Sequence, residues 1–136
     1  MNVIKYWLPP LVWMGVIFFF SSRTKVEVSD VYAIQLVFFK TLHIIEYGIL
    51  SILFYRALKN TGRRPKWQNF YLAWLLAMIY GMTDEIHQLF TPTREGRMRD
   101  VVIDGIGAGL TLFLLWKYIR KTQKKLKNWV KQLELM

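Results

Sequence analysis

The chain has 136 residues, 54% of them hydrophobic and 16% aromatic, and its mean hydropathy is +0.21. Its 19 Lys+Arg outweigh 9 Asp+Glu for a net charge of +10, yet only 21% of residues are charged. Such hydrophobicity excludes a disordered chain, and the length leaves room for one domain. The basic residues gather in short blocks between apolar stretches instead of covering a surface, unlike those of a soluble nucleic-acid binder. Without cysteine there are no disulfides, thiolate nucleophiles or cysteine-type zinc sites. The composition is that of an integral membrane protein.

A bilayer core takes about 20 apolar helical residues to cross. Four stretches qualify, at 3–21, 36–58, 67–90 and 101–119. The expected fold is all-α, a four-transmembrane-helix bundle forming a single domain over residues 1–136. The first stretch runs to Phe20 without a small-x-small cleavage site, so it reads as an uncleaved span and not as a signal peptide. Pro9 and Pro10 fall in its first turns, where a missing N–H costs least.

Basic residues orient the bundle. Arg56, Lys59, Arg63, Arg64 and Lys66 lie between spans two and three, and seven more run from Lys117 to Lys131; with Lys5 they place 13 on one side. The other side holds five, Arg23, Lys25, Arg94, Arg97 and Arg99, diluted by Glu27, Asp30 and Glu95. The positive-inside rule then puts both termini in the cytoplasm of a multi-pass membrane protein. Residues 120–136 read as a basic C-terminal surface helix, with Leu126, Trp129, Val130 and Leu133 at helical spacing, meeting anionic lipid. No nucleic-acid motif accompanies the charge.

Ionisable groups inside spans cost about 2.5–3.5 kcal/mol each at a helix centre, and this chain has several. On span two Lys40, His43, Glu46 and Tyr47 share an arc of about 120°. On span three Tyr80, Gly81, Asp84, His87 and Gln88 share about 100°, with Glu85 on one flank, and on span four Asp100, Asp104, Gly107 and Thr111 share about 60°. All lie within about 15 Å of the outer boundary at 1.5 Å per residue. They are expected to meet in one outward-facing polar pocket below the loop 91–99, with its three arginines. Taken singly, the blander readings are a structural ion pair at Lys40 and a satisfied interior His43. Gly105 and Gly109 read as a close-packing pair on another face of span four.

Two histidines and several carboxylates suit acid–base chemistry, with His43, Glu46, Asp84 and His87 as catalytic candidates. Lys40, Tyr47, Glu85, Gln88, Arg94, Arg97, Asp100 and Asp104 are the ligand-binding candidates. His43 with Glu46, and Asp84 with His87, repeat an i, i+3 spacing that can bring two donors to one ion. Such a mixed site would suit zinc or manganese. Against this, the Lys40 ammonium one turn from His43 would repel a divalent ion by about 4–8 kcal/mol at an effective dielectric of about 20. The pocket is therefore expected to hold no metal and no other cofactor. Ser21 and Ser22 are weak candidates for a nucleophile. The arginines favour an anionic headgroup on a ligand with an apolar body in the membrane.

The residues that carry this reading also carry a resemblance. Phe20-Ser21-Ser22, Lys40-x2-His43-x2-Glu46-Tyr47 and Asp84-Glu85-x-His87-Gln88-x-Phe90-x-Pro92-x-Arg94-x2-Arg97-x2-Asp100-x3-Asp104 are similar to the VanZ-like membrane protein family. Arg23 follows the two serines where the family pattern suggests Gln. The resemblance implies a small multi-span protein of the bacterial cell envelope and a link to glycopeptide resistance of the teicoplanin type. It brings no settled reaction. Two functions follow as expectations: binding of an amphipathic or lipid-linked envelope ligand, or a membrane-embedded hydrolase or transferase acting on such a substrate by acid–base or metal chemistry.

Overall fold

The computed structural model describes residues 3–23, 31–91, 98–121 and 131–135. The expected all-helical class is observed. Four long helices follow one another: α1 (Val3–Ser21), α2 (Tyr32–Thr61), α3 (Lys66–Gln88) and α4 (Met98–Lys121). Pro9 and Pro10 lie inside α1 as its seventh and eighth residues, one turn later than expected, so the Lys5 and Tyr6 carbonyls lose their i+4 donors there. Between α2 and α3 the turn is short because Pro65 cannot continue a helix and holds the residue before it extended. The Pro65 carbonyl instead accepts the N–H groups of Gln68 and Asn69 and so opens α3.

Among the described residues three helices are long and apolar enough to cross a membrane: Val3–Ser21, Ala33–Thr61 and Met98–Ile119. The third expected span has the length, 23 residues, or about 34 Å at 1.5 Å per residue, but not the apolarity. Gln68, Asn69, Thr83, Asp84, Glu85, His87 and Gln88 dilute it. Its place explains this, because α3 is packed against α1, α2 and α4 and can hide polar groups on three sides.

Helix α2 is the hub, touching all three others, while α1 lies against α2 and the edge of α3. Apolar side chains cover much of the outside, and the interior combines an apolar core around Leu50, Phe54, Tyr55, Ala77 and Leu112 with a set of buried polar groups. Ile4, Leu8, Val12, Val37, Ile45, Val102, Ile106 and Leu110 are exposed, whereas Ser51, Asn69, Asp84, Glu85, Gln88 and Asp104 are buried. Leaving such side chains in water forfeits about 1.5–3 kcal/mol each, so this surface suits lipid as its solvent. Ring donors tie the helices: Trp13 to the Glu46 carbonyl at 3.0 Å, Trp74 to Gly105 at 2.9 Å and Tyr80 to Met14 at 2.6 Å.

One close approach positions the site. A Cβ on Gly107 would lie 2.8 Å from Ile44 Cα, and one on Gly48 would lie 2.6 Å from Thr111 Oγ1. Only glycine lets the α2 and α4 backbones come this near. Gly107, expected on the polar face, is thus a packing residue. Gly105 and Gly109 seat Met78 and Trp74 of α3. The middle of the basic tail, residues 122–130, lies outside the described residues, so the expected surface helix is not described there. Residues 131–135 fold back onto the start of α1 and the end of α2, where Glu134 meets Lys5 at 2.8 Å and Arg56 at 2.7 Å.

Candidate functional site

The parallel run of α2 and α4 sets their polar residues in register. His43 Nδ1 meets Asp104 Oδ1 at 3.0 Å, and one turn nearer the helix starts Lys40 forms an ion pair with Asp100. Lys40 therefore finds an acid on α4. Asp104 is 1% exposed, and its carboxylate fixes which face of the His43 ring it meets. His43 stacks on Tyr47, with ring centroids 6.1 Å apart. Tyr47 itself is fully buried, and its hydroxyl meets no hydrogen-bond partner among the described residues.

Helix α3 distributes its polar run over two neighbours. Gln88 Nε2 donates to Asp84 Oδ2 at 2.9 Å, and both residues are buried. Glu85, placed on a flank by helical angle alone, is 4% exposed. One of its carboxylate oxygens lies within 4.8 Å of donor atoms from both His43 and Asp104. His87 turns the other way, towards α1. Its Nε2 lies 2.9 Å from Ser22 Oγ, and its ring is 4.3 Å from that of Phe18. Ser22 spends its single proton on the Phe18 carbonyl at 2.6 Å, so His87 must donate to the serine. The pair is thus not arranged as a base with its nucleophile. Asp84 and His87, expected to converge on one ion, face different helices.

A cavity of about 380 Å³ opens between α1, α2 and α3. Ile17, Phe20, Phe39 and Leu42 give it an apolar wall, and Ser21, His43, Glu46, Asp84 and Gln88 give it a polar one. Arg23 lines it as well, with its guanidinium 4.3 Å from the Phe19 ring. The sequence reading leaves Arg23 out of the site and gives Ser21 only as a weak nucleophile candidate. Their signal was position, since they close α1 at the level where the other polar groups gather. Lys40, Asp100, His87 and Tyr47 belong to the same end of the bundle without being among the lining residues. Arg94 and Arg97 lie outside the described residues, and Arg99 is 58% exposed, 3.9 Å from Asp100.

A larger recess of about 670 Å³ lies between α3 and α4 near the opposite end, walled by Trp67, Phe70, Tyr71, Trp74, Phe113 and Trp116. Its lining residues include Lys66 but no acid or histidine, so it offers no comparable chemistry.

Comparison with curated proteins and with solved structures finds no match. The VanZ/LLP1 family model matches residues 6–120, which takes in all four helices and every polar residue of the pocket. The chain belongs to the VanZ/LLP1 family.

Proposed function

We propose that this protein binds an amphipathic envelope ligand in the cavity between α1, α2 and α3, with that cavity facing outward from the bacterial cytoplasmic membrane. The ligand class is a lipid-linked envelope precursor or a lipoglycopeptide of the teicoplanin type, and such binding would contribute to resistance. One observation carries the reading: the cavity has an apolar wall of Ile17, Phe20, Phe39 and Leu42 facing a polar wall of His43, Glu46, Asp84 and Gln88. A ligand with a hydrocarbon body and a polar head satisfies both walls at once. Arg23 is the described cation on the lining, placed to meet an anionic group on the head.

In this reading α3 crosses the membrane too. Spans α2 and α4 run in the same direction, as the contacts Lys40–Asp100, His43–Asp104 and Ile44–Gly107 require. A chain that crosses twice in one sense must return in between, and α3 is the segment that joins them. The 13 basic residues at the other end keep both termini in the cytoplasm.

The test is a titration of purified protein in lipid nanodiscs with teicoplanin and, separately, with a lipid-linked cell-wall precursor, read by tryptophan fluorescence. Saturable binding of one of them is expected, weakened about ten-fold or more, at 1.4 kcal/mol per decade, by Phe39→Ala and by Asp84→Asn. No saturable response to either class would contradict the reading. The enzyme alternative rests on the Asp104-oriented imidazole of His43. It calls for an altered pool of lipid-linked intermediates in expressing membranes, whereas a binding protein leaves that pool unchanged.

A further inference from the structure

The expectation of a metal-free pocket rested on the Lys40 ammonium beside His43. In the folded chain that ammonium pairs with Asp100, one turn from Asp104. What remains below the pair is His43 on α2, Glu85 on α3 and Asp104 on α4, each offering one donor atom within 4.8 Å of the others. We propose that His43, Glu85 and Asp104 form a buried binding site for a divalent metal ion that joins the three helices.

Three observations support it. First, the donor set balances: two carboxylates cancel the charge of a divalent ion, and a neutral imidazole adds a third ligand. One nitrogen and two oxygens suit zinc or manganese. Second, the geometry needs little closure. Donors around an ion at about 2.0–2.2 Å lie roughly 3–4 Å apart, and His43 Nδ1 and Asp104 Oδ1 already stand at 3.0 Å. Third, Asp104 is 99% buried, at 1% exposure, and its Oδ2 accepts no hydrogen bond among the described residues. A carboxylate oxygen sealed from solvent in this way costs several kcal/mol unless a proton or a cation meets it. The neighbouring Asp84 Oδ1 is in the same position, so a lone proton on Asp104 would relieve only part of the cost. His43 also lines the ligand cavity.

This proposal stands on the α2–α3–α4 geometry and does not depend on the ligand reading, since metal content is measured on purified protein with no envelope ligand added. Detergent-purified protein is stripped with a chelator, dialysed against Zn²⁺ or Mn²⁺ and analysed for bound metal. About one ion per chain is expected, together with a raised unfolding temperature. Both effects should be lost in Glu85→Gln and His43→Ala and kept in Glu134→Gln, a carboxylate at the far end. If either site variant fails to accumulate, Asp104→Asn is measured for the same two effects. Binding of neither ion, or equal binding by wild type and the site variants, would overturn the proposal.

Discussion

At the end of the bundle where α2 meets α3, charge is handled at the surface. Glu134 alone gathers Lys5, Arg56, Lys59 and Asn60, the last two through its carbonyl at 3.1 and 2.9 Å. At the opposite end the acids are inside: Asp84, Glu85 and Asp104 are buried, Asp104 against an imidazole and Asp84 against an amide. The first arrangement needs only proximity and can be re-solvated when it breaks. In the second, neither water nor lipid can replace a lost partner. A chain that needed charge only to orient itself in a membrane would have enough at the basic end. The buried acids are therefore the part of the molecule that calls for a functional account.

The largest expected effect comes from separating a buried pair. His43→Leu leaves the Asp104 carboxylate without its partner and should lower stability by about 3–5 kcal/mol, as breaking buried pairs does. The double change His43→Leu with Asp104→Leu removes the orphaned charge and should recover most of that loss. Urea-induced unfolding in mild detergent measures both. Recovery would show that the pair is dispensable for folding, and ligand binding should still be abolished.

Gly107→Val tests how the site is assembled. Its Cβ would sit 2.8 Å from Ile44 Cα, so α2 and α4 must part, at about 1–3 kcal/mol for overpacking. The His43–Asp104 contact should open with them. Crosslinking between cysteines placed on α2 and α4 at 40 and 100 should fall in step with stability.

Smaller still is the effect of the basic end. Glu134→Gln should leave overall stability unchanged within error, because exposed ion pairs contribute little. Its carboxyl is held below its ordinary value of 4.5, first by the Lys5 hydrogen bond, against some desolvation, and then by Arg56. A depressed carboxyl keeps its contribution above the ordinary value and loses it as the pH falls through the depressed one. Docking of residues 131–135 should therefore hold at neutral pH and loosen only in acid. A spin label at Leu133, which is exposed, should gain mobility only once the pH falls below the ordinary carboxyl value of 4.5 and stay unchanged around neutral pH.

Much of this was legible in the residues. Lys40, His43, Asp84, Asp100 and Asp104 were assigned to one end of three helices by angle and depth alone, because a helix fixes both. What could not be read was which neighbour each face would meet. Glu85 and His87 differ by about 200° around α3, and both sides of that helix are occupied, so either could have faced the core. The choice follows from the glycine contacts of α4 against α2 and α3. Sequence spacing shows the glycines but not which helix they admit. For the same reason the spacing allows Lys40 a structural ion pair without fixing its partner, and the fold supplies Asp100 from α4.

The outward opening proposed for the pocket is tested most directly by labelling. The chain has no cysteine, so a single introduced thiol is read without background. Ser22→Cys, at the mouth of the cavity, and Gly62→Cys, in the turn at the basic end, are treated in intact cells with a membrane-impermeant thiol reagent. Labelling at position 22 and protection at position 62 is the expected result. The reverse pattern would place the buried acids next to the cytoplasm and contradict the proposed role in binding envelope ligands from outside.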